Sequence, residues 1–278
     1  MLIHQQLIKR TLLLVFIASF FAASGQVRKE SRAVGEFTKV AFRIPGTAYV
    51  KQGTRYTVEI EGDAAVLKEI ETEVNDGRLS IGREDNWRNW NWKDTDRVTV
   101  WITLPSLEAL SVSGSGNLKA EGKWKVADLK LNVSGSGNLE VLADASGEIE
   151  ADVSGSGRLQ VGGTCKMYDS DVSGSGHVVM TMNVYETASL GISGSGKIEA
   201  SGSAGIVKAD ISGSGNVLAI GLESNKCEVR ISGSGDVEIA VKEELDANIT
   251  GSGTVSYKGN PNHVNSNASG SGKVRKVS

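Results

Sequence analysis

The sequence of 278 residues is poor in cysteine, histidine and proline, with two, three and three copies. His4 lies in an apolar N-terminal leader, so His177 and His263 are the candidate bases of the remaining chain. A serine hydrolase triad needs a histidine that a third group orients, and no local signature surrounds either residue. We therefore expect no catalytic residues and no enzymatic activity.

The chain also lacks an apolar run long enough to span a bilayer. The leader's apolar run covers residues 11–23, whereas a membrane-spanning helix needs about 20 residues. Small residues follow it, so we predict a signal peptide over residues 1–25, cleaved near Ser24 or Gly25. An uncleaved anchor is the alternative. No cysteine lies near the cleavage point, which argues against an acylated lipoprotein.

The chain lacks a cluster of basic residues beyond a short tail at residues 273–276. Without Lys9 and Arg10 of the leader, 28 basic residues stand against 33 acidic ones, a formal charge of about −5. A mildly acidic chain without a basic cluster argues against nucleic acid as a partner. We expect an exported protein, periplasmic, outer-membrane-associated or extracellular. It would have no membrane span after cleavage, no cofactor, and an envelope or extracellular polymer or protein as partner.

What the chain has in abundance is a tandem repeat, Ser-Gly-Ser-Gly. Consecutive copies start 18 to 21 residues apart, and one copy has Thr in the first place. Such regularity is the sequence signature of a repeat architecture. The nine copies start at Ser113, Ser134, Ser154, Ser173, Ser193, Ser212, Ser232, Thr250 and Ser269.

Apolar and polar residues alternate strictly on both sides of the motif. The residue before the motif is Val or Ile in eight copies and Ala268 in the last, and the fifth residue after its start is Leu, Val or Ile. A period of two predicts strands that are buried on one face. Continued through the motif, it places both glycines inward, at a narrow bend, and both serines outward in two rows. The alternative is a glycine with positive φ, which reverses the facing locally.

These features predict an all-β fold, a single-stranded parallel β-helix (solenoid) with coils of ~20 residues. Such a repeat is too short for a propeller blade and lacks the helix of a leucine-rich repeat. Nine coils at ~4.8 Å each give a rod of roughly 43 Å. The alternative is a β-sandwich of hairpins.

We divide the chain after the signal peptide into two regions. Residues 26–110 form an N-terminal region of degenerate β-coils that caps one end, with a short helix over residues 64–71. Residues 111–278 form the repeat solenoid, whose other end is capped where polar or small residues replace apolar core positions. These residues are Ser266, Ala268 and Lys276.

Two N-terminal segments look like degenerate turns of the repeat. Residues 44–50, Ile-Pro-Gly-Thr-Ala-Tyr-Val, align with residues 133–139, Val-Ser-Gly-Ser-Gly-Asn-Leu. Residues 74–79, Val-Asn-Asp-Gly-Arg-Leu, resemble the same bend with one residue missing.

The two cysteines, Cys165 and Cys227, lie three coils apart in this register, or ~14 Å. A disulfide needs Cα atoms within about 7 Å. We predict two free and buried thiols, although export would permit a disulfide.

Four carboxylates fall on outward positions of two successive coils: Glu150, Asp152, Asp169 and Asp171. Stacked carboxylates repel each other unless a cation intervenes, and Ca²⁺ takes several carboxylate oxygens. A weak calcium site is therefore one interpretation. The other is a solvated face whose charge is relieved by neighbouring coils through Lys130, Lys208 and Arg230.

Residues 85–94, Asp-Asn-Trp-Arg-Asn-Trp-Asn-Trp-Lys-Asp, hold three of the five tryptophans and interrupt the strand pattern. Exposed tryptophan beside arginine suits stacking on sugar rings or a partner's surface. The other interpretation is a loop that covers the open end of the solenoid. The candidate binding residues are Trp87, Arg88, Trp90 and Trp92.

The order of motifs in the chain resembles a known family. A leader is followed by Phe-x-x-Val, Tyr-x-Val-x-Ile-x-Gly, Asp-Gly-x-Leu-x-Ile, Val-x-Ile-x-Leu-Pro-x-Leu and the Ser-Gly-Ser-Gly array. These motifs start at Phe37, Tyr56, Asp76, Val100 and Ser113. The layout is similar to the head GIN domain of putative auto-transporter adhesins from Gram-negative bacteria. The resemblance covers nearly all of the chain after the leader, and it implies a β-helical fold, an adhesion role and no catalytic residues.

Three functions are compatible with these observations. The first is an exported, adhesin-like binding or structural module of the cell envelope, without catalysis. The second is a carbohydrate-active β-helix protein that binds or cleaves a polysaccharide, which a groove of carboxylates with Arg or Lys would favour. Ice binding by a hydroxyl ladder is weaker, because serine lacks the methyl group of threonine.

Overall fold

The computed structural model describes residues 27–83 and 97–278. The predicted signal peptide and the tryptophan-rich segment lie outside the described residues. The helix found among the described residues, α1, spans Ala64–Leu67. The strands in chain order are β1 Val27–Arg32, β2 Lys39–Phe42, β3 Thr47–Gln52, β4 Thr57–Asp63, β5 Glu71–Asn75, β6 Arg78–Gly82, β7 Thr99–Leu104, β8 Ala109–Gly114, β9 Asn117–Val126, β10 Leu129–Gly135, β11 Asn138–Ala145, β12 Glu148–Gly155, β13 Arg158–Cys165, β14 Met167–Gly174, β15 His177–Gly194, β16 Lys197–Gly213, β17 Asn216–Gly233, β18 Asp236–Gly251, β19 Thr254–Lys258, β20 His263–Gly270 and β21 Lys273–Lys276.

The repeat forms coils that stack in parallel register. In each coil a pre-turn strand, such as β10, leads into the Ser-Gly-Ser-Gly turn, and a post-turn strand, such as β11, leaves it. β10 pairs in parallel with β12, with Ser134 opposite Ser154, and β11 pairs in parallel with β13. From β15 to β18, one long strand contains the post-turn part of one coil and the pre-turn part of the next. The fold is an all-β solenoid of about 8 turns, which confirms the fold predicted from the repeat.

Strict alternation fills the interior of the coils with apolar side chains. The stacked residues Val112, Val133 and Val153 are all at most 1% exposed, and one buried cluster extends from Phe37 to Val255. Burial of one such side chain stabilises the fold by about 1.5–3 kcal/mol. Because each coil packs only against its neighbours, stability accumulates coil by coil.

The first coils follow a different order in space than in the chain. β2 lies between β6 and β8, in parallel with both, and β3 lies between β7 and β9. The coil of β6 and β7 is therefore the outermost one. Gly46 accepts a hydrogen bond from Asn117 N, as Gly116 does from Asn138 N. Gly46 thus matches the second turn glycine, not the first, and the predicted alignment of residues 44–50 is wrong by two residues.

Antiparallel strands flank the outermost coil. β5 pairs with β6, and Asp76 and Gly77 between them have φ of 49° and 69°. Two successive left-handed residues form the type I′ turn of a tight hairpin, so the prediction that residues 74–79 repeat the solenoid bend is wrong. On the post-turn side, β4 pairs with β7 and β1 with β4, both antiparallel. These strands pair with sheet edges that would otherwise be free.

The helix is shorter than the predicted residues 64–71. The Asp63 carboxylate caps it by accepting a hydrogen bond from Ala65 N at 2.8 Å. It ends at Leu67, which is buried, because Glu71 already begins the strand that pairs with β6.

The opposite end of the solenoid becomes polar, as predicted. β20 pairs in parallel with β18, but all its residues are exposed, including Val264 at 44%. Ser266 and Ala268 stand opposite the buried residues Ala247 and Ile249. The apolar core therefore stops one coil before the last strands.

Candidate binding surfaces

The two glycines of each turn have different environments. The first is left-handed, with φ of 107° at Gly135 and 111° at Gly155, and it is not buried. For the first glycine the structure therefore confirms the alternative, a positive φ that reverses the alternation, and the inward direction predicted for both glycines is wrong there. The second is buried: a Cβ on Gly157 would lie 2.4 Å from Val133 Cγ1 and 2.7 Å from the Gly137 carbonyl oxygen.

Both serines of the turn point outward and form two rows along the solenoid. Ser154 and Ser156, for example, are exposed. Ser156 N donates a hydrogen bond to the carbonyl oxygen of Gly135 at 2.8 Å, and the same bond recurs in the following coils. Because neighbouring turns fix the backbone, each row presents a hydroxyl group about every 4.8 Å.

The four predicted carboxylates do stack on the outward face of the pre-turn strands. Glu150 is opposite Asp169, and Asp152 is opposite Asp171. Burial raises the pKa of Asp152, and the charges of Glu150 and Asp171 raise it further. Burial likewise raises the pKa of Asp169, with Asp171 as the strongest neighbouring charge. Burial first, and like charge second, therefore disfavour the ionised form of these carboxylates.

Basic side chains neutralise only part of the negative charge on this face. Lys130 forms an ion pair with Glu150, whereas Arg230 lies 3.8 Å from Asp210 and 3.9 Å from Glu228, further along the same face. Within residues 27–83 and 97–278, no group of three His, Cys, Asp or Glu side chains is arranged to hold a metal ion. The Lys130–Glu150 ion pair is what the solvated-face interpretation expects, and the weak calcium site stays a prediction.

His177 is tied to charged neighbours on adjacent coils. Its Nδ1 lies 2.8 Å from a guanidinium nitrogen of Arg158, and its Nε2 lies 3.2 Å from Oε1 of Glu199. Since arginine can only donate, Nδ1 accepts and the proton sits on Nε2. Burial and the Arg158 charge lower the pKa of His177. The imidazole thus links three coils. His263 lies on the exposed strand β20.

The tryptophan-rich segment connects the two strands of the outermost coil. β6 ends at Gly82 and β7 begins at Thr99, so 16 residues join them, whereas two residues join β10 to β11. The strands that it joins, β6 and β7, align through β2 and β3 with β8 and β9, the strands on either side of the first Ser-Gly-Ser-Gly turn. The predicted binding residues fall in the 16-residue connection and lie outside the described residues: Trp87, Arg88, Trp90 and Trp92.

Sequence reasoning missed an aromatic pair on the neighbouring strands β3 and β7. Tyr49 on β3 is opposite Trp101 on β7, and both are partly exposed between buried neighbours. Lys29 Nζ lies 4.2 Å from the centroid of the Trp101 ring. The alternation within Ala-Tyr-Val and Val-Trp-Ile places both rings outward, so the sequence could have predicted that both aromatic side chains are exposed. Their adjacency depends on the changed order of the coils.

Cys165 and Cys227 are free and buried, as predicted. Cys165 ends a post-turn strand, and Cys227 lies in a pre-turn part of β17. Burial raises the pKa of Cys165 to about 12 and that of Cys227 to about 11. Both thiols are therefore protonated at neutral pH.

Comparison with known proteins finds a family and several solved structures. The family model described as "Putative auto-transporter adhesin, head GIN domain" matches residues 36–182 and 171–261. No curated protein matches the chain. A putative lipid binding protein from Parabacteroides distasonis ATCC 8503 is 23% identical, with a TM-score of 0.67 over 92% of this chain and 98% of that chain. A putative adhesin from Parabacteroides merdae ATCC 43184 is 22% identical, with a TM-score of 0.64 over 92% and 98%.

At these identities the solved structures show the shared fold alone. Within the described ranges, no helix has both the length and the apolar character needed to cross a membrane.

Proposed function

We propose that this chain, which belongs to the head GIN domain family of putative auto-transporter adhesins, is an exported, non-catalytic binding module of the cell envelope. Its leader supports export to the periplasm, the outer membrane or the cell exterior. The expected partner is an envelope or extracellular polymer or protein. The adhesin names of the family and of solved relatives support a binding role.

One observation carries the proposal: a long connection between β6 and β7, in the coil at the end of the solenoid. Sixteen residues replace a connection of two, and they contain three of the five tryptophans. Loops longer than about 12 residues in a compact scaffold are commonly functional, and scaffolds hold binding loops in place.

Apart from the Tyr49–Trp101 pair, the described surface offers few aromatic anchors for a partner. The turn rows consist of serine with one threonine, Thr250, and the pre-turn face is largely charged or small. Interface energy concentrates in a few aromatic or arginine residues. The proposed anchors are therefore the residues of the tryptophan-rich segment, Trp87, Arg88, Trp90 and Trp92.

The test is a variant in which all three tryptophans of the segment become alanine. Its affinity for immobilised outer membranes of a Gram-negative bacterium, and its melting temperature, are measured on one preparation. We expect an affinity loss of about tenfold or more, because such anchors typically contribute over 1 kcal/mol each. Tyr185→Ala is the matched control, since Tyr185 is 70% exposed and lies outside the segment.

The capping interpretation predicts another result. If the tryptophans only cover the end of the solenoid, the triple variant melts at lower temperature and its folded molecules bind as the parent does. Lowered stability with intact affinity would exclude the segment as the binding site.

A further inference from the structure

The outward face of the first post-turn strands combines aromatic rings with uncharged polar groups. We propose that this face binds a neutral polysaccharide. Tyr49 and Trp101 would stack on sugar rings, and Asn117, Asn138 and Gln160 would bind hydroxyl groups. The proposal rests on the binding role argued above and names a ligand class. We call these five residues the glycan face.

The glycan face belongs to a regular array of outward residues on five neighbouring strands, in which the ion-paired Lys119 and Glu140 lie between Tyr49 and Gln160. Trp101, Tyr49, Lys119, Glu140 and Gln160 form one row, each opposite the next, on β7, β3, β9, β11 and β13. Four strand spacings of ~4.8 Å make the row ~19 Å long. This spacing is close to the repeat of an extended hexose chain, so successive sugars can meet successive strands.

Amide groups form the next row toward the turn. Asn138 Nδ2 donates a hydrogen bond to Asn117 Oδ1 at 2.6 Å, which orients both carboxamides, and both residues are exposed. Asn138 Oδ1 and Asn117 Nδ2 remain for a ligand. Together with Tyr49 and Gln160, these amides line a shallow concavity of about 270 Å³. It offers donors, acceptors and a ring in one place.

The lysines around this face are paired with carboxylates, which disfavours binding of a polyanion. Lys119 Nζ lies 3.0 Å from Glu140 Oε1, and Lys29 Nζ lies 2.8 Å from Glu59 Oε2 beside the Trp101 ring. Arg158, at the far edge, contacts the neutral His177 and keeps its positive charge. An anionic chain would have to displace the carboxylates to reach the lysines, whereas a neutral sugar needs only the amides and hydroxyls that remain.

The face is also preorganised. All five residues sit on strands that pair on both sides, so binding orders little backbone and costs little conformational entropy. Lys29 covers one side of the Trp101 ring, so Tyr49 is the ring more open to a sugar. Aromatic rings combine apolar area with a defined stacking geometry, and we therefore assign Tyr49 the largest share of the affinity.

The test uses affinity electrophoresis and titration calorimetry of the chain without its leader. Hydroxyethyl cellulose and dextran serve as neutral probes, and polygalacturonate serves as the anionic one. We expect retention by at least one neutral probe, independent of salt between low and physiological ionic strength. Tyr49→Ala should weaken binding about tenfold and Tyr49→Phe less than about twofold, since the ring is kept. Gln160→Ala changes an exposed side chain without disturbing the fold, and it should weaken binding of the neutral probe several-fold. The control variant Tyr185→Ala should bind as the parent does.

Three results would overturn the proposal. In the first, both Tyr49→Ala and Gln160→Ala bind the neutral probes as the parent does. In the second and third, the parent is retained only by polygalacturonate with a strong salt dependence, or is retained by neither neutral probe. The triple tryptophan variant distinguishes failure of the glycan-face proposal from failure of the proposed binding function. If that variant loses outer-membrane binding while the glycan-face variants keep it, the binding role stands and the glycan face does not.

Discussion

At the residue scale, the turn glycines illustrate what alternation can and cannot predict. A period of two assigns both glycines of a turn to the interior, and the buried second glycine, such as Gly157, follows that rule. The first glycine, such as Gly155, has φ of 111°, and this left-handed conformation turns it outward. Side-chain periodicity carries no information on the sign of φ. The sequence alone therefore could not distinguish the outward first glycine of the turn from the inward second glycine.

We predict that the second glycine of the turn tolerates no side chain. In Gly157→Ala the new Cβ would meet Val133 Cγ1 at 2.4 Å and a carbonyl oxygen at 2.7 Å. Overpacking of this kind costs about 1–3 kcal/mol, measurable by urea unfolding. Ser156→Ala, one residue away and exposed, should change stability by less than about 0.5 kcal/mol. Equal stability of the two variants would contradict the buried position of Gly157.

The buried thiols give a second prediction at this scale. With a pKa of about 12 for Cys165 and about 11 for Cys227, both thiols should resist iodoacetamide at pH 8 in the native state. Both should react after unfolding without a reductant, as mass spectrometry would show. An intramolecular Cys165–Cys227 disulfide would contradict the register, which places them several coils apart.

At the element scale, the repeat predicted the strands of residues 111–278 and their neighbours, because identical turns stack on each other. The N-terminal strands were predicted only as strands. Their neighbours depend on which degenerate coil packs against β8, and one glycine, Gly46, was matched to the wrong turn position. The Asp76-Gly77 pair is a strong hairpin signal, yet the repeat made it look like another bend.

The carboxylate ladder across β12 and β14 yields a prediction for stability against pH. The pKa of Asp169 is raised above the ordinary value of 3.8, so its proton is bound more tightly in the folded state. The resulting stability is present at low pH and is lost as pH rises above 3.8 toward the raised pKa. Asp169→Asn should therefore raise the melting temperature at pH 7 and have less effect near pH 3.

A matched change on the same face serves as control for that experiment. Asp210 lies 3.8 Å from Arg230, so Asp210→Asn removes a favourable contact and should not stabilise the protein. If Asp169→Asn lowers the melting temperature at pH 7 as well, the folded state does not disfavour the ionised form of Asp169, which contradicts the prediction.

At the scale of the whole molecule, the solenoid is a rod with different ends. One end stops in exposed polar strands, and the other is flanked by antiparallel strands and carries the long insertion. The insertion could be found by composition, since its tryptophans break the pattern. The glycan face could not be found from composition, because Tyr49 and Trp101 are 52 residues apart in the chain. They meet only through the changed order of the coils. Trp101 lies on β7, the strand that follows the insertion in the chain, so both proposed sites begin at the same end of the solenoid.

The most direct test of this account is the affinity of a shortened solenoid for immobilised outer membranes. Deletion of residues 193–231 removes two complete coils and joins Ile192 to Ser232. It keeps the register, because Ile192, Ile211 and Ile231 are stacked. Since stability is a sum over coils, the melting temperature should fall. The affinity per folded molecule should stay within about twofold of the parent, because the binding end is intact. A large loss of affinity on shortening would instead assign binding to the serine rows along the rod and contradict the account.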